Sequence, residues 1–273
     1  MEKVYLVTGG SSGIGLEIAS RLKDGKVYIT GRREEKLIES VEELKAKGID
    51  ADYFQGDLSD DKRLIEIFET IKEEGQLAAV INSAGVSGVG IDVETTLKID
   101  LRGSALLIEE AKKIAGPGTV IAMISSMMGY AVPPNPQLDP LLADPLKEEN
   151  FQAAVAACNG DSAIAYNLAK RGVHLMVEKH ADELGKLGTR IVSVSPGIIM
   201  TPMAKAAAED HPERMAFMEQ MTPCKRNGEP EDIANAVEFL ISPLASFITG
   251  ADLRVDGGLV LNFPKIAAMM GEG

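Results

Sequence analysis

Tyr166 and Lys170 stand four residues apart, in Tyr166-Asn167-Leu168-Ala169-Lys170, within a stretch that reads as helix. At that spacing two side chains share one helix face. A phenol is a poor acid at neutral pH, with an ordinary pKa near ~10, and an ammonium beside it favours the phenolate. Together they could hand a proton to an oxygen on which negative charge grows, or take one from an alcohol in the reverse direction. Taken alone, the pair reads more readily as two ordinary helix-surface residues, so its meaning depends on its company. The apolar run ending Met123-Ile124-Ser125-Ser126 offers two hydroxyls able to hold the reacting oxygen.

A second constellation lies near the start, in Thr8-Gly9-Gly10-Ser11-Ser12-Gly13-Ile14-Gly15. Gly9, Gly13 and Gly15 fall where a short apolar run passes into a helix-length segment. Glycines there permit a tight turn and let backbone approach a pyrophosphate, so Gly9, Ser11, Ser12, Gly13, Ile14 and Gly15 are candidate cofactor contacts. About 20 residues further on, an acid would bind the ribose hydroxyls of NAD. Thr30-Gly31-Arg32-Arg33 occupies that place instead. Arg32 and Arg33 could grip a 2′-phosphate with two-pronged, charge-assisted bonds, so NADP(H) is expected ahead of NAD(H), which stays possible. Their plainer reading is as solvated helix-start residues. Asp57, with Leu58 next to it, could accept a bond from an adenine amine. Asn82-Ser83-Ala84-Gly85 gives a small-residue turn that could lie under the cofactor, through Asn82, Ala84 and Gly85.

The elements that must position these groups follow from periodicity. Val4–Val7, Val27–Ile29, Ala51–Phe54, Leu77–Ile81, Thr119–Ser125, Arg190–Val194 and Asp252–Val255 are short, partly β-branched runs bounded by Gly, Asp or Ser, and read as strands. Between them, Ile14–Lys23, Glu34–Lys47, Ser59–Lys72 and Glu94–Ile114 are amphipathic and helix-length. Strands alternating with helices imply a parallel sheet. Ser59 ahead of two aspartates, and Glu229-Pro230-Glu231-Asp232, read as helix starts. The proline-rich residues 127–161, with an amphipathic piece from Lys147 to Ala157, break this rhythm as an insertion ahead of the Tyr166 helix. Residues 202–223, containing Met203, Met215, Met218 and Met221, suit a substrate lid or an ordinary packing helix.

The 273 residues are 45% hydrophobic and read as one domain. A formal net charge of −13 opposes binding to nucleic acid and to anionic membranes. No apolar stretch reaches the ~20 residues of a membrane helix, and the N-terminus lacks a signal-peptide layout. Cys158 and Cys224 form no disulfide framework or zinc spacing. A cytoplasmic location is expected. His174, His180 and His211 share no metal-binding pattern and are expected at the surface.

Taken together, these motifs with Pro196-Gly197…Thr201, Asn227-Gly228-Glu229-Pro230-Glu231-Asp232 and Val255-Asp256-Gly257-Gly258 resemble the short-chain dehydrogenase/reductase family over nearly the whole chain. The resemblance implies an α/β fold, a Rossmann-type doubly wound seven-stranded parallel sheet in three layers, and hydride transfer between NAD(P) and a carbonyl or alcohol. It also implies Ser126 rather than Ser125 as the hydroxyl that acts with Tyr166 and Lys170, and a role for Lys170 at the nicotinamide ribose. Pro196, Gly197, Ile199 and Thr201 would form the turn under the nicotinamide. Asp100, in Ile99-Asp100-Leu101-Arg102-Gly103, stands where the family usually carries an Asn that supports proton relay. Its plainer reading is a helix residue bonded to local backbone. The 40 residues from Ser126 to Tyr166, more than the family's usual gap, resemble the 3α-hydroxysteroid dehydrogenase/carbonyl reductase branch and suggest a steroid or bile-acid-like ketone. A general carbonyl or 3-oxoacyl reductase, or a non-catalytic NADP-binding sensor, are the alternatives. The family also implies a dimer or tetramer, in which the helix over Glu231–Ile241 and the last strand form one common interface. The insertion would obstruct a second interface, and the tail Phe263–Met270 would pack on the lid or on a partner.

Overall fold

A computed structural model of the chain describes residues 2–57, 59–202, 204–205 and 212–271. Leu58, Met203, His211 and residues 206–210 of the expected lid lie outside the described residues.

Seven strands form one sheet among the described residues: β1 Lys3–Thr8, β2 Lys26–Gly31, β3 Ala51–Gln55, β4 Gln76–Asn82, β5 Val120–Ile124, β6 Arg190–Pro196 and β7 Ala251–Val255. Every pairing is parallel, in the order β3-β2-β1-β4-β5-β6-β7. The inner strands are nearly continuous apolar runs because helices cover both faces. On one face Ile18, Leu37, Leu44, Val237 and Leu240 meet the sheet from α1 (Gly13–Ala19), α2 (Glu34–Ala46) and α10 (Pro230–Ile241). On the other, Phe68, Leu107 and Val173 do so from α3 (Asp61–Glu74), α5 (Gly103–Ile114) and α8 (Ser162–Lys186). The result is the expected three-layer, doubly wound arrangement.

Strand order reverses between β1 and β4, which places a crevice beyond their carboxyl ends. The paired terminal residues Thr8 and Asn82 mark that point.

Several local expectations are corrected. The helix expected over Glu94–Ile114 is three pieces: α4 (Val93–Leu97), a π-helical turn Lys98–Arg102, and α5. The wider turn carries Asp100 inward, and π turns of this kind recur at functional sites. α1 stops at Ala19, short of Lys23. The cap of α3 is Asp60, not Ser59, because the Asp60 carboxylate accepts from the amides of Lys62 and Arg63. Glu229 does open α10, in a capping box with Asp232.

Residues 127–161 form a 3₁₀ turn (Met127–Ala131), α6 (Asp139–Leu142) and α7 (Glu148–Ala157). Leu142, Phe151, Ala154 and Cys158 join the core on the α8 side. Burying side chains such as Leu142 and Phe151 contributes about 1.5–3 kcal/mol each, so this segment is held as core rather than draped over it. At its edge, Arg171 of α8 meets Asp139 at 2.7 Å. A third, smaller cluster joins Met221 of α9 (Pro212–Met221) to Leu259, Met127 and Ile266 of the terminal helix α11 (Phe263–Gly271). The tail therefore packs on the described part of the 202–223 segment.

Candidate active site

The turn after β1 is shaped by what glycine permits. Gly9 has φ +66, and a Cβ there would lie 2.8 Å from the Ala84 amide nitrogen. The two loops at the switch point therefore pack backbone against backbone. Gly13 has φ +53, and a Cβ on it would come within 3.1 Å of the Thr201 methyl. Gly15 does not face the crevice; a side chain there would collide with the Gly9 carbonyl, so its role is close packing of α1 under the turn. Ser12 makes no capping bond with its hydroxyl.

These loops wall a cleft of about 720 Å³. Gly9, Ser11, Ser12, Gly13 and Ile14 line one end, followed by Arg32, Arg33 and Asp57, while Ala84 and Gly85 line the floor. Ser126, Tyr166, Lys170, Pro196, Gly197, Ile199 and Thr201 complete the far end. Both arginines are exposed, and among the described residues neither guanidinium has an ion pair. Asp57 accepts the Ser59 amide at 2.9 Å through one oxygen.

Asn82 belongs beneath the cleft rather than on its wall. It accepts from Thr8 at 2.6 Å and donates to Ser104 at 3.0 Å, and Ser104 donates to the Asp100 carbonyl at 2.7 Å. This buried chain ties β1, β4 and the π turn together. Thr8 and Ser104 were missed from sequence because a hydroxyl at a strand end or in a helix carries no distinguishing spacing.

The acid–base end is built from three elements. β5 ends at Ile124, and its two serines separate in role. Ser125 donates to the Lys170 carbonyl at 2.9 Å, whereas the Ser126 oxygen accepts the Met128 amide at 3.1 Å and keeps its proton for another acceptor. α8 presents Tyr166 and Lys170, with the ammonium 5.3 Å from the phenol ring centre. The π turn supplies Asp100, whose side chain is wholly buried. Its Oδ1 accepts the Val86 amide at 2.8 Å, and its Oδ2 lies 3.1 Å from the Lys170 nitrogen. That contact is a buried ion pair. A Cβ at Gly85 would stand 3.2 Å from both Asp100 oxygens and 3.3 Å from the Lys170 nitrogen, a tight fit that would press on the pair.

Burial works against both charges. For Lys170, the nearby Asp100 carboxylate and Tyr166 outweigh it and hold the ammonium above its ordinary range. Burial raises the Asp100 carboxyl, against the pull of Lys170 and the Val86 amide. Among the described residues no cluster of His, Cys, Asp or Glu is arranged to hold a metal. His174 and His180, expected at the surface, are buried along α8; a 25-residue helix lying across the sheet covers positions that spacing alone leaves open.

Family models match both halves of the chain: "short chain dehydrogenase" over residues 3–136 and "Enoyl-(Acyl carrier protein) reductase" over residues 150–260. The short-chain dehydrogenase/reductase bsc3 of Alternaria brassicicola is 31% identical over 94% of this chain and 96% of its own length. This chain belongs to the short-chain dehydrogenase/reductase family. It is accordingly an NAD(P)-binding oxidoreductase rather than a sensor without chemistry. Another family member, the 3-oxoacyl-(acyl-carrier-protein) reductase of Staphylococcus aureus, is 28% identical over 96% of this chain and 99% of its own. Among solved structures, a variant actinorhodin polyketide ketoreductase with NADPH superposes with a TM-score of 0.77 at 26% identity, covering 95% of this chain and 97% of that one. The cleft fits the dinucleotide this family uses, because Gly9 lets the β1 and β4 loops close backbone to backbone beneath it and Gly13 leaves space opposite the Thr201 methyl.

Proposed function

We propose that the protein is an NADP(H)-preferring oxidoreductase that interconverts a ketone and a secondary alcohol at the Ser126, Tyr166 and Lys170 end of the cleft. The observation that carries this is the convergence, in one cleft, of a hydroxyl with a free proton, a phenol and a buried ammonium with the glycine turn. The nicotinamide, when bound, supplies or accepts the hydride. Ser126 donates to the substrate oxygen and orients it. Tyr166 passes its proton to that oxygen as negative charge develops, or removes one from the alcohol. Lys170 stabilises the phenolate so formed, since its buried ammonium lies 5.3 Å from the ring centre. Asp100 holds that ammonium charged and in place, at the position where the family's usual Asn supports proton relay. Replacing Tyr166 by Phe should lower turnover by roughly 10²–10⁴-fold while NADPH still binds. Equal turnover in the two proteins would overturn the reading.

NADP(H) preference rests on Arg32 and Arg33, two exposed cations at the cleft mouth that have no ion pair among the described residues. The substrate reading is narrower still. A hydroxysteroid or bile-acid-like ketone is suggested by the long segment between Ser126 and Tyr166 and by the apolar side chains Phe217, Met218 and Met221 near the 3₁₀ turn after Ser126. None of the relatives named above is a steroid enzyme, and their names favour a general ketone or 3-oxoacyl substrate. A panel of ketosteroids, 3-oxoacyl thioesters and small aldehydes assayed with NADPH separates the two; turnover confined to the thioesters and aldehydes would remove the steroid reading.

We also propose one domain, a cytoplasmic location and a homodimer, with tetramer formation as the larger alternative. Among the described residues no helix is long and apolar enough to cross a membrane. Phe239, Leu244, Phe247 and Leu253 lie exposed on α10, the turn after it and the edge strand β7, a surface suited to a second copy.

A further inference from the structure

One helical turn past Lys170 lies a polar cluster that the chemistry above leaves unused. His174 Nε2 is 2.8 Å from Ser195 Oγ and 3.6 Å from Asp252 Oδ1. Asp252 Oδ1 accepts the hydroxyls of Ser193 at 2.6 Å and Ser195 at 2.9 Å, and its Oδ2 accepts the Tyr130 hydroxyl at 2.7 Å. Because the single proton of Ser195 goes to the carboxylate, its oxygen is left to accept, which assigns a neutral Nε2–H imidazole to His174. Cε1 of the same ring, next to Nε2, faces the turn that follows Ser126. A Cβ at Gly129 would come within 2.6 Å of His174 Cε1 and 3.0 Å of the Lys170 carbonyl. The Tyr130 ring stands 4.9 Å from the imidazole.

Ser126 and the Tyr166–Lys170 face come from different elements, the turn after β5 and the helix α8. Their separation is set by what stands between them: the Ser125 bond to the Lys170 carbonyl, and the imidazole wedged against Gly129. The ring is hydrogen-bonded through Nε2 to Ser195 of β6 and meets the turn at Gly129 through the adjacent Cε1, so a rigid imidazole carries the position of the sheet to the turn that follows Ser126. We propose that His174, seated on Ser195 and Asp252, is a positioning residue that sets the distance between the Ser126 hydroxyl and the Tyr166–Lys170 pair. The proposal rests on the oxidoreductase reading given above.

Charge enters as well. Facing the imidazole are Asp252 from β7, Tyr130 from the 3₁₀ turn with Arg254 over its ring, and Lys170 and Arg171 on its own helix. Burial holds His174 neutral, aided by the two cations and opposed by Asp252. A proton gained in acid would place a further cation beside Lys170 and disturb the alignment.

The test compares wild type with His174→Phe, Ser195→Ala and His174→Gln, the last keeping an N–H donor near the Nε2 position. Turnover, ketone KM, NADPH affinity from cofactor fluorescence, and melting are measured across pH. His174→Phe and Ser195→Ala are expected to lose roughly tenfold in kcat, as a misplacement under 1 Å would produce, with NADPH affinity unchanged. His174→Gln should recover most of that loss and should move the acid limb of the kcat profile. Folded variants with wild-type kcat would overturn the inference, as would kcat and NADPH affinity falling together, or Ser195→Ala failing to fold. Should wild type reduce no carbonyl compound, the oxidoreductase reading itself fails. The strut then stands or falls on the imidazole ¹⁵N spectrum: an Nε2–H tautomer lost in Ser195→Ala supports it, and a spectrum unchanged by that substitution overturns it.

Discussion

At the scale of single residues, the site depends on a compensated buried charge. Lys170 and Asp100 are both withdrawn from water and lie 3.1 Å apart, so removing either leaves the other's desolvation unopposed. Asp100→Ala is therefore expected to cost about 3 kcal/mol in stability, readable as a lower urea midpoint at unchanged slope. Asp100→Asn, which keeps an acceptor for Val86, should cost less; equal losses would place the whole effect in the lost charge beside Lys170. The arginines at the cleft mouth are proposed to act on the ligand instead. Arg32→Ala should weaken NADPH binding about tenfold, the worth of one charge-assisted bond, and leave NADH binding nearly unchanged. Parallel loss of both affinities, measured by fluorescence titration, would assign Arg32 to general binding and not to the 2′-phosphate.

At the scale of elements, α8 does the most. It carries Tyr166 and Lys170 toward the cleft and buries His174 and His180 against its neighbours. Burial is the main cause that lowers the proton affinity of both histidines from the ordinary range. The unfolded chain would protonate them near pH ~6.5, while the folded chain resists until lower pH. The unfolded state thus binds more protons below that point, and folding stability falls as pH drops from about 7 to 5. Calorimetry across that window should show a declining melting temperature, and the double variant His174→Gln, His180→Gln should flatten the decline. An identical slope in the double variant would point to other groups. The segment 127–161 matters here too. By sinking Leu142 and Phe151 into the core on the α8 side, it covers a helix face that would otherwise be open to a partner.

At the scale of the whole molecule, the proposed dimer would form at the opposite edge. β7 leaves one side unpaired, next to Phe247 and Leu244, which stand almost fully exposed. Sedimentation should show a dimer, and the pair Leu244→Lys, Phe247→Lys should convert it to monomer with the fold intact. A dimer that survives both changes would place the interface elsewhere. A net charge of −13 would make such a dimer dependent on ionic strength, because like-charged copies approach more readily as salt screens them.

The order of elements, the parallel sheet, the glycine turn and the family were legible in the chain itself, since each rests on local spacing: apolar runs of strand length, amphipathic helices between them, and glycines at a strand-to-helix turn. Tyr166 and Lys170 were visible for the same reason, four residues apart on one helix. What no local pattern reveals is which residues from distant elements share a buried space. Only the tertiary structure decided that Asp100, carried inward by a π turn, meets Lys170, that Asn82 serves Thr8 and Ser104 beneath the cleft, and that His174 lies against Asp252 across 78 residues of chain. Hydrogen-bond partners of buried polar groups are chosen by packing, and packing brings together residues that sequence keeps apart.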